Sequence, residues 1–532
     1  MPKYYLGIDC STQSITALVL EQERDDDPVS TRIRLEKSLN FDADYPEFGT
    51  RNGVLPEGPG VAHTPPRLWV RGLEGVLDAL KKEGIPVHEI EAVGVSGQQH
   101  GSVYLNAEAE RTLAALNPGR GLADQLGDIY SRKSSPIWMD ATTTAECAEI
   151  TQALGGDDAV CRLTGSRCFE RFTGPQIRKF YKTDPAGYAA TSHVCLVSSF
   201  IPSLLAGKII PIDPGDGAGM NLMDIARRAW SPEALEATAP HLSQKLLPIQ
   251  ESDSVASEIS AYFVARYGFS PACKILPGTG DNPASLVGLG LVSGGAIGIS
   301  LGTSDTVFAY MSAIHTDPEG ASHVFGSPTG AYMAISVYKN GSLAREAVRG
   351  EHGLSWEAFS KLLSATPPGN LGRVMLPYFD TEIIPRIGRA GMQRYGFSGN
   401  DAAGDVRGVI EAQMASMFLH SSWMGEAPAR IQATGGASNN REILQVMADM
   451  FGVPVMRQET SNSAALGAAI RAQHVSLKTT LKYASALSFD LLARPHLRTT
   501  FTLTPNPEAQ AAYRNFIPLY HQYEKAYLQT LL

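Results

Sequence analysis

The sequence predicts an α/β protein of two domains with a cleft between them, on three observations. Two distant stretches, LGIDCSTQS at residues 6–14 and IGISLGTSD at residues 297–305, read as one device used twice: an apolar strand, a small-residue turn carrying a threonine, and a second strand. Strand–turn–helix units recur in both halves, the pattern of α/β layers. A length of 532 residues exceeds what one hydrophobic core serves, at ~100–200 residues per domain. In the duplicated turns Thr12 and Thr303 occupy matching places, with Gly302 beside the second. Glycine and short hydroxylated side chains let backbone N–H groups approach phosphate oxygens, so the pair suits a nucleotide; two ordinary hairpins would look the same locally.

Each element follows from its residues. Residues 4–20 alternate as strand, turn, strand. Residues 22–66 are charged, then rich in proline and glycine, and read as a surface excursion. Leu68, Leu73, Val76, Leu77 and Leu80 form a helical stripe that starts after Pro65 and Pro66 and stops at Gly84. IEAVGVSGQQHGSVYL is a buried strand interrupted by polar residues at its end, where substrate contacts are commonly built. PIWMDATTTAECAEI reads as strand, turn and helix, SRCFERFTGPQIRKFY as a loop entering a helix, and KILPGTGDNPASLVGLGL as strand, turn and helix, with Asn282 placed to cap and Pro283 in the first turn. The glycine-rich run at 288–296 marks the boundary, giving domains 1–290 and 291–532. Beyond it, RIQATGGASNNREILQVMADMFGVPVM is strand, Gly-Gly turn, helix and strand, and SNSAALGAAIRAQ is a small-residue helix able to pack closely.

Composition narrows function. A net charge of −9 argues against nucleic-acid binding, which rests on a basic surface. The six cysteines lack CxxC or zinc-like spacing and read as reduced packing residues. The N-terminus enters a strand without a signal-peptide pattern, and no apolar run nears the ~18 residues of a membrane span, so a soluble, cytoplasmic protein is expected.

GIDCSTQS, SGQQHGS, GTGDNPAS with SLGTSDT, ATGGASNNREILQ and PYFDTEIIP, in this order and spacing, resemble the FGGY family of carbohydrate kinases over nearly the whole chain. SGQQHG, PIWMD and TGDNPAS are similar to the branch that phosphorylates D-xylulose. The resemblance implies two ribonuclease-H-like domains of the actin and hexokinase type, the first binding sugar and carrying the catalytic Asp, the second binding nucleotide. It also implies ATP, a divalent metal such as Mg2+, and transfer to the terminal hydroxyl of D-xylulose.

Residue chemistry reads beside this. Transfer to a weakly nucleophilic hydroxyl needs a nearby base, a cation for the phosphates and alignment. Asp281 fits the base, or a helix-capping aspartate; a helix N-terminus would keep it ionised rather than raise its pKa. Asn282, Gln99 and His100 suit a polyol's donors and acceptors, and the resemblance carries sugar contact to His100 and Arg171. One of Gln98 and Gln99 is expected to face inward; Asp140 orients a neighbour or caps the helix after it. Asp9 suits a metal held through water. Thr12, Gly302 and Thr303 would line the phosphates. Gly435 and Gly436 would let backbone approach adenosine, with Asn439 or Asn440 bonding base or ribose. Trp356 resembles a position near adenine, although composition alone favours a buried helix anchor.

Three departures stand out: Asp305 where many relatives have glycine, DTEIIP after PYF, and KFYK at 179–182 without a tryptophan. The competing functions are a kinase for another pentulose or a polyol such as ribulose or glycerol, a non-catalytic actin-fold sugar- or nucleotide-binding protein, and a chaperone-type ATPase, for which no peptide-binding domain is visible. Monomer and homodimer stay open.

Overall fold

The computed structural model describes residues 2–425, 427–459, 462–479 and 487–531. The chain divides into two compact units: Met1–Val292 with Val324–Met333 and Ser461–His496, and Ser293–His323 with Ala334–Thr460 and Leu497–Leu532. The expected 291–532 domain therefore gives up two segments to the first unit. Packing explains the second of them. Helix Ser463–Lys478 lies against strands Lys3–Cys10 and Ile90–Gly97 so closely that a Cβ on Gly7 or Gly94 would sit 2.1 Å from a helix carbonyl oxygen. The same helix meets helix Asp281–Gly288 at Gly467, whose missing Cβ leaves room for the Ala284 carbonyl. The small residues of SAALGAA thus fix the depth of the helix carrying Asp281.

In the first unit, Lys3–Cys10 pairs antiparallel with Ser14–Gln22 and parallel with Ile90–Gly97. The two-residue strands Lys274–Ile275 and Thr279–Gly280 extend the parallel side on Ile90–Gly97 and deliver the chain to Asp281. The second unit repeats the plan: Ala296–Leu301 pairs antiparallel with Asp305–Met311 and parallel with Arg430–Thr434, which pairs parallel with Val455–Glu459. Apolar strands such as YYLGI and VSG-flanked IEAVG are buried on both faces, as parallel neighbours require.

One segment corrects the sequence reading. Within 22–66, Thr31–Asn40 is a third strand, antiparallel to Ser14–Gln22. Its side chains alternate between half-buried and exposed, with Ile33, Leu35 and Leu39 on one face, and the charges of the other face hid the alternation. The Leu68 to Leu80 stripe is the buried face of helix Pro66–Lys82. All six cysteines are free thiols, five of them buried. Among the described residues no helix is long and apolar enough to cross a membrane.

Candidate active site

Asp281 is the first residue of its helix, and Gly280, not Asn282, is the N-cap. The carboxylate accepts from the Asn282 backbone N–H at 2.9 Å and from Asn282 Nδ2 at 3.2 Å. Asp281 is half-buried. Burial, then the negative charge of Asp9, pushes its carboxyl up to about 7, against the donors from Asn282 and Gln99. This corrects the expectation that the helix terminus keeps it in the ordinary range: burial and a like charge outweigh a ~0.3–1 kcal/mol dipole term. A carboxyl with an accessible face and a pKa near neutrality is suited to accept a proton.

The neighbours of Asp281 come from SGQQHG. Both glutamines are buried, so the expectation of one inward residue is corrected. Gln98 accepts from the Thr12 hydroxyl at 3.1 Å. Gln99 accepts from Asn282 Nδ2 at 2.8 Å and reaches toward the Gly215 carbonyl at 3.5 Å, so its amide holds Asn282 in place. His100 sits at φ +69°, a left-handed backbone rare for a histidine. Its Nδ1 lies 2.8 Å from the Gly219 carbonyl, where a Cβ on Gly219 would strike the ring at 2.9 Å. A carbonyl only accepts, so Nδ1 carries the hydrogen. Burial and the Arg171 charge lower the ring to about 3, leaving it neutral with Nε2 as an acceptor. The ring stacks on Phe172 at 4.4 Å, and the Arg171 guanidinium lies over Phe169 at 4.8 Å. Burial lowers Arg171 to about 10, still charged at neutral pH. A neutral acceptor, a fixed cation and the Asp281–Asn282 pair thus stand in one unit.

At the adjoining strand end, Asp9 is buried and accepts from Ser11, from Ser96 at 2.7 Å and from Asn462 at 3.5 Å. Burial raises its carboxyl, and those three donors oppose the shift. Thr12 accepts from the indole of the exposed Trp138 at 2.8 Å. Asp140 does not cap the next helix, which begins at Thr144 behind Thr143. Asp140 accepts from Ala62, Thr142 and Gln176, fixing the loop that carries Trp138. Sequence reasoning missed Trp138, legible only as the WMD tryptophan, and Asp216 of DPGDGAG. Burial holds the Asp216 carboxyl well above the usual range beside Ser198, and its charge is disfavoured further by Asp213 and Asp281.

The second unit contains an open pocket of about 900 Å³ lined by Gly302, Thr303, Ser342, Trp356, Gly436 and Asn439 among others. Trp356 is 41% exposed, which corrects the buried-anchor reading, and Arg349 lies 5.1 Å from its ring centroid. Gly435 takes φ +83° and crosses the end of strand Ala296–Leu301, where a Cβ would lie 2.5 Å from the Leu301 carbonyl oxygen; Gly436 is the one that lines the pocket. Asn440 caps helix Arg441–Phe451 and donates to Ser360 at 2.7 Å, whereas Asn439 is exposed and accepts from Arg457.

Two departures have structural roles. Glu382 of DTEIIP accepts from the Lys339, Asn340 and Ile383 backbone N–H groups, tying down the turn before helix Ser342–Glu351. Lys179 bonds Thr142, and Lys182 pairs with Glu146 and Glu149. Glu351, His352 and Asp405 have metal-like spacing, but Arg394 bonds both carboxylates, so the cluster is an ion network.

Residues 133–288 match the N-terminal domain of the FGGY family of carbohydrate kinases, and residues 297–475 match its C-terminal domain. Xylulose kinase of Rattus norvegicus is 40% identical over 536 residues, covering 98% of this chain and 97% of the relative. The crystal structure of xylulose kinase from Rhodospirillum rubrum superposes with a TM-score of 0.80 at 21% identity, covering 98% of this chain and 99% of that one. Gluconate kinase from Lactobacillus acidophilus reaches 0.81 at 18% identity, covering 99% and 98%, so the shared fold by itself selects no sugar. The fold is the two-domain actin and hexokinase type used by sugar kinases. The chain belongs to the FGGY family of carbohydrate kinases. Its co-substrate is ATP and its acceptor a small-molecule sugar.

Proposed function

We propose that the chain transfers the γ-phosphoryl group of ATP to the terminal hydroxyl of D-xylulose, giving D-xylulose 5-phosphate and ADP, with Asp281 as the base. The observation that carries the chemistry is the Asp281 carboxyl, half-buried and raised to about 7 beside Asn282. The sugar assignment draws on a xylulose kinase relative 40% identical over nearly the full chain. The hydroxyl proton passes to Asp281. The hydroxyl oxygen bonds the γ-phosphorus, the bond to the β-phosphate oxygen breaks, and ADP leaves with that electron pair. His100 Nε2 accepts a sugar hydroxyl, Arg171 faces the sugar's oxygens as a fixed cation, and Gln99 keeps Asn282 and Asp281 in register.

In the second unit, Trp356 and Asn439 receive the adenosine end and the Gly302–Thr303 turn the phosphates. Both Asp9 oxygens already accept bonds from hydroxyls or an amide, which fits a hydrated cation such as Mg2+ held through water. That cation would neutralise phosphate charge when bound. Free, largely buried thiols fit a reducing, cytoplasmic setting.

ADP release across D-xylulose, D-ribulose, L-ribulose and glycerol, with the product identified by phosphorus NMR, tests this reading. D-Xylulose should give the highest kcat/KM and a 5-phosphate. Preference for ribulose or glycerol would replace the sugar, and sugar binding without turnover on any of them would favour a non-catalytic binder.

A further inference from the structure

Against the Gly302–Ser304 turn lies a buried charge pair that the reaction scheme does not use, and its Arg345 belongs to the wall of the same pocket as Gly302 and Thr303. Asp305 is the residue paired with Leu301 across the hairpin, and Arg345 is on helix Ser342–Glu351; their side chains are 1% and 0% exposed. Arg345 grips the carboxylate with both terminal nitrogens, Nη1 to Oδ2 at 2.7 Å and Nη2 to Oδ1 at 2.9 Å. Each nitrogen has a second acceptor. Nη2 donates to the Gly302 carbonyl at 3.2 Å, and Nη1 to Gln413 Oε1 at 2.9 Å. Gln413 in turn donates to the carbonyls of Asn340 and Gly341, immediately before the helix, whose Ser342 N–H donates to the carbonyls of Gly302 and Thr303 at 3.0 and 3.1 Å.

Both turn carbonyls are therefore held toward the helix. In a trans peptide the C=O and the next N–H point in opposite directions. Holding the carbonyls of Gly302 and Thr303 thus turns the N–H groups of Thr303 and Ser304 away from the helix, as donors for an anion. A flipped peptide would present a carbonyl oxygen to the phosphates instead. We infer that the Asp305–Arg345 pair is a positioning device for the polyphosphate: it fixes the peptide orientation of the Gly302–Ser304 turn, and Asp305 cancels the guanidinium charge so that recognition comes from oriented N–H groups. This rests on the assignment of that turn to the phosphates.

The fork geometry is what the device needs. A lysine keeps the charge and one bond to Asp305 but does not span Asp305 and Gly302 together. Arg345→Lys and the doubly neutral variant Asp305→Asn with Arg345→Met are titrated calorimetrically, as the full chain, with adenosine, ADP and a non-hydrolysable ATP analogue. In both, adenosine affinity should stay within about twofold of the parent while the ATP analogue weakens about tenfold or more and ADP falls between, as expected when a few phosphate hydrogen bonds are misdirected. Equal losses for adenosine and the ATP analogue, or no loss, would overturn the inference, as would failure of both variants to fold, which would make the pair a fold element. If the parent binds adenosine but gains nothing from added phosphates, the assignment of the turn falls, and the inference with it.

Discussion

Asp281→Asn should lower turnover by about 10²–10⁴-fold while leaving sugar affinity within about threefold, because it keeps the size of the side chain and one acceptor oxygen but replaces the charged, proton-accepting oxygen with an amide NH2. Asp281 sits at the start of its helix, accepts from the Asn282 N–H and is raised to about 7 by burial and by Asp9. The amide variant retains an oxygen for the Asn282 donor, so the fold of the helix start is preserved. Coupled ADP release beside calorimetric sugar titration separates the two quantities. Turnover within a few-fold of the parent would remove Asp281 from the role of base.

His100→Ala and Arg171→Ala should each raise the sugar KM by about 10–100-fold and move the ATP KM by less than about twofold, the scale of one lost polar contact in a buried site. His100 is fixed by its Nδ1 bond to Gly219 and its stack on Phe172, so truncation removes an acceptor whose position the backbone has set at φ +69°. Arg171 lies over Phe169 and Phe172, which fix its guanidinium laterally. The two residues are in the same unit as Asp281, and the pocket proposed for the nucleotide is lined by residues of the other. Steady-state kinetics with each substrate varied in turn reads the split. A rise in the ATP KM at constant sugar KM would mean that these residues do not form the sugar site.

Much of this was legible in the sequence because local chemistry dictated it. The strand–turn–strand reading of residues 4–20 and the repeat at 297–305 correspond to hairpins with registers Cys10↔Ile15 and Leu301↔Asp305, since apolar alternation and small turn residues are local signals. The SNSAALGAAIRAQ helix was readable as close-packing for the same reason. Three features were not local. The strand Thr31–Asn40 hid behind its charged face. The return of Ser461–His496 to the first unit depends on where Gly7 and Gly94 lie in space. The raised pKa of Asp281 depends on Asp9, 272 positions earlier in the chain, and on burial, so helix position alone pointed the wrong way. Trp356 misled composition because large aromatics are usually anchors, whereas this one is left open on a pocket wall.

The most direct test of the account is the pH dependence of kcat/KM for D-xylulose at saturating ATP. Asp281 must be ionised to accept the hydroxyl proton, so activity is present above its pKa and lost as pH falls through it. With that pKa raised to about 7, log kcat/KM should fall with a slope of about one below roughly neutral pH. His100 does not share that limb, because burial lowers it to about 3. The limb should vanish in Asp281→Asn, leaving a low, flat residual rate. A parent profile flat from neutrality down to about pH 5, or an unchanged acid limb in Asp281→Asn, would contradict Asp281 as the base.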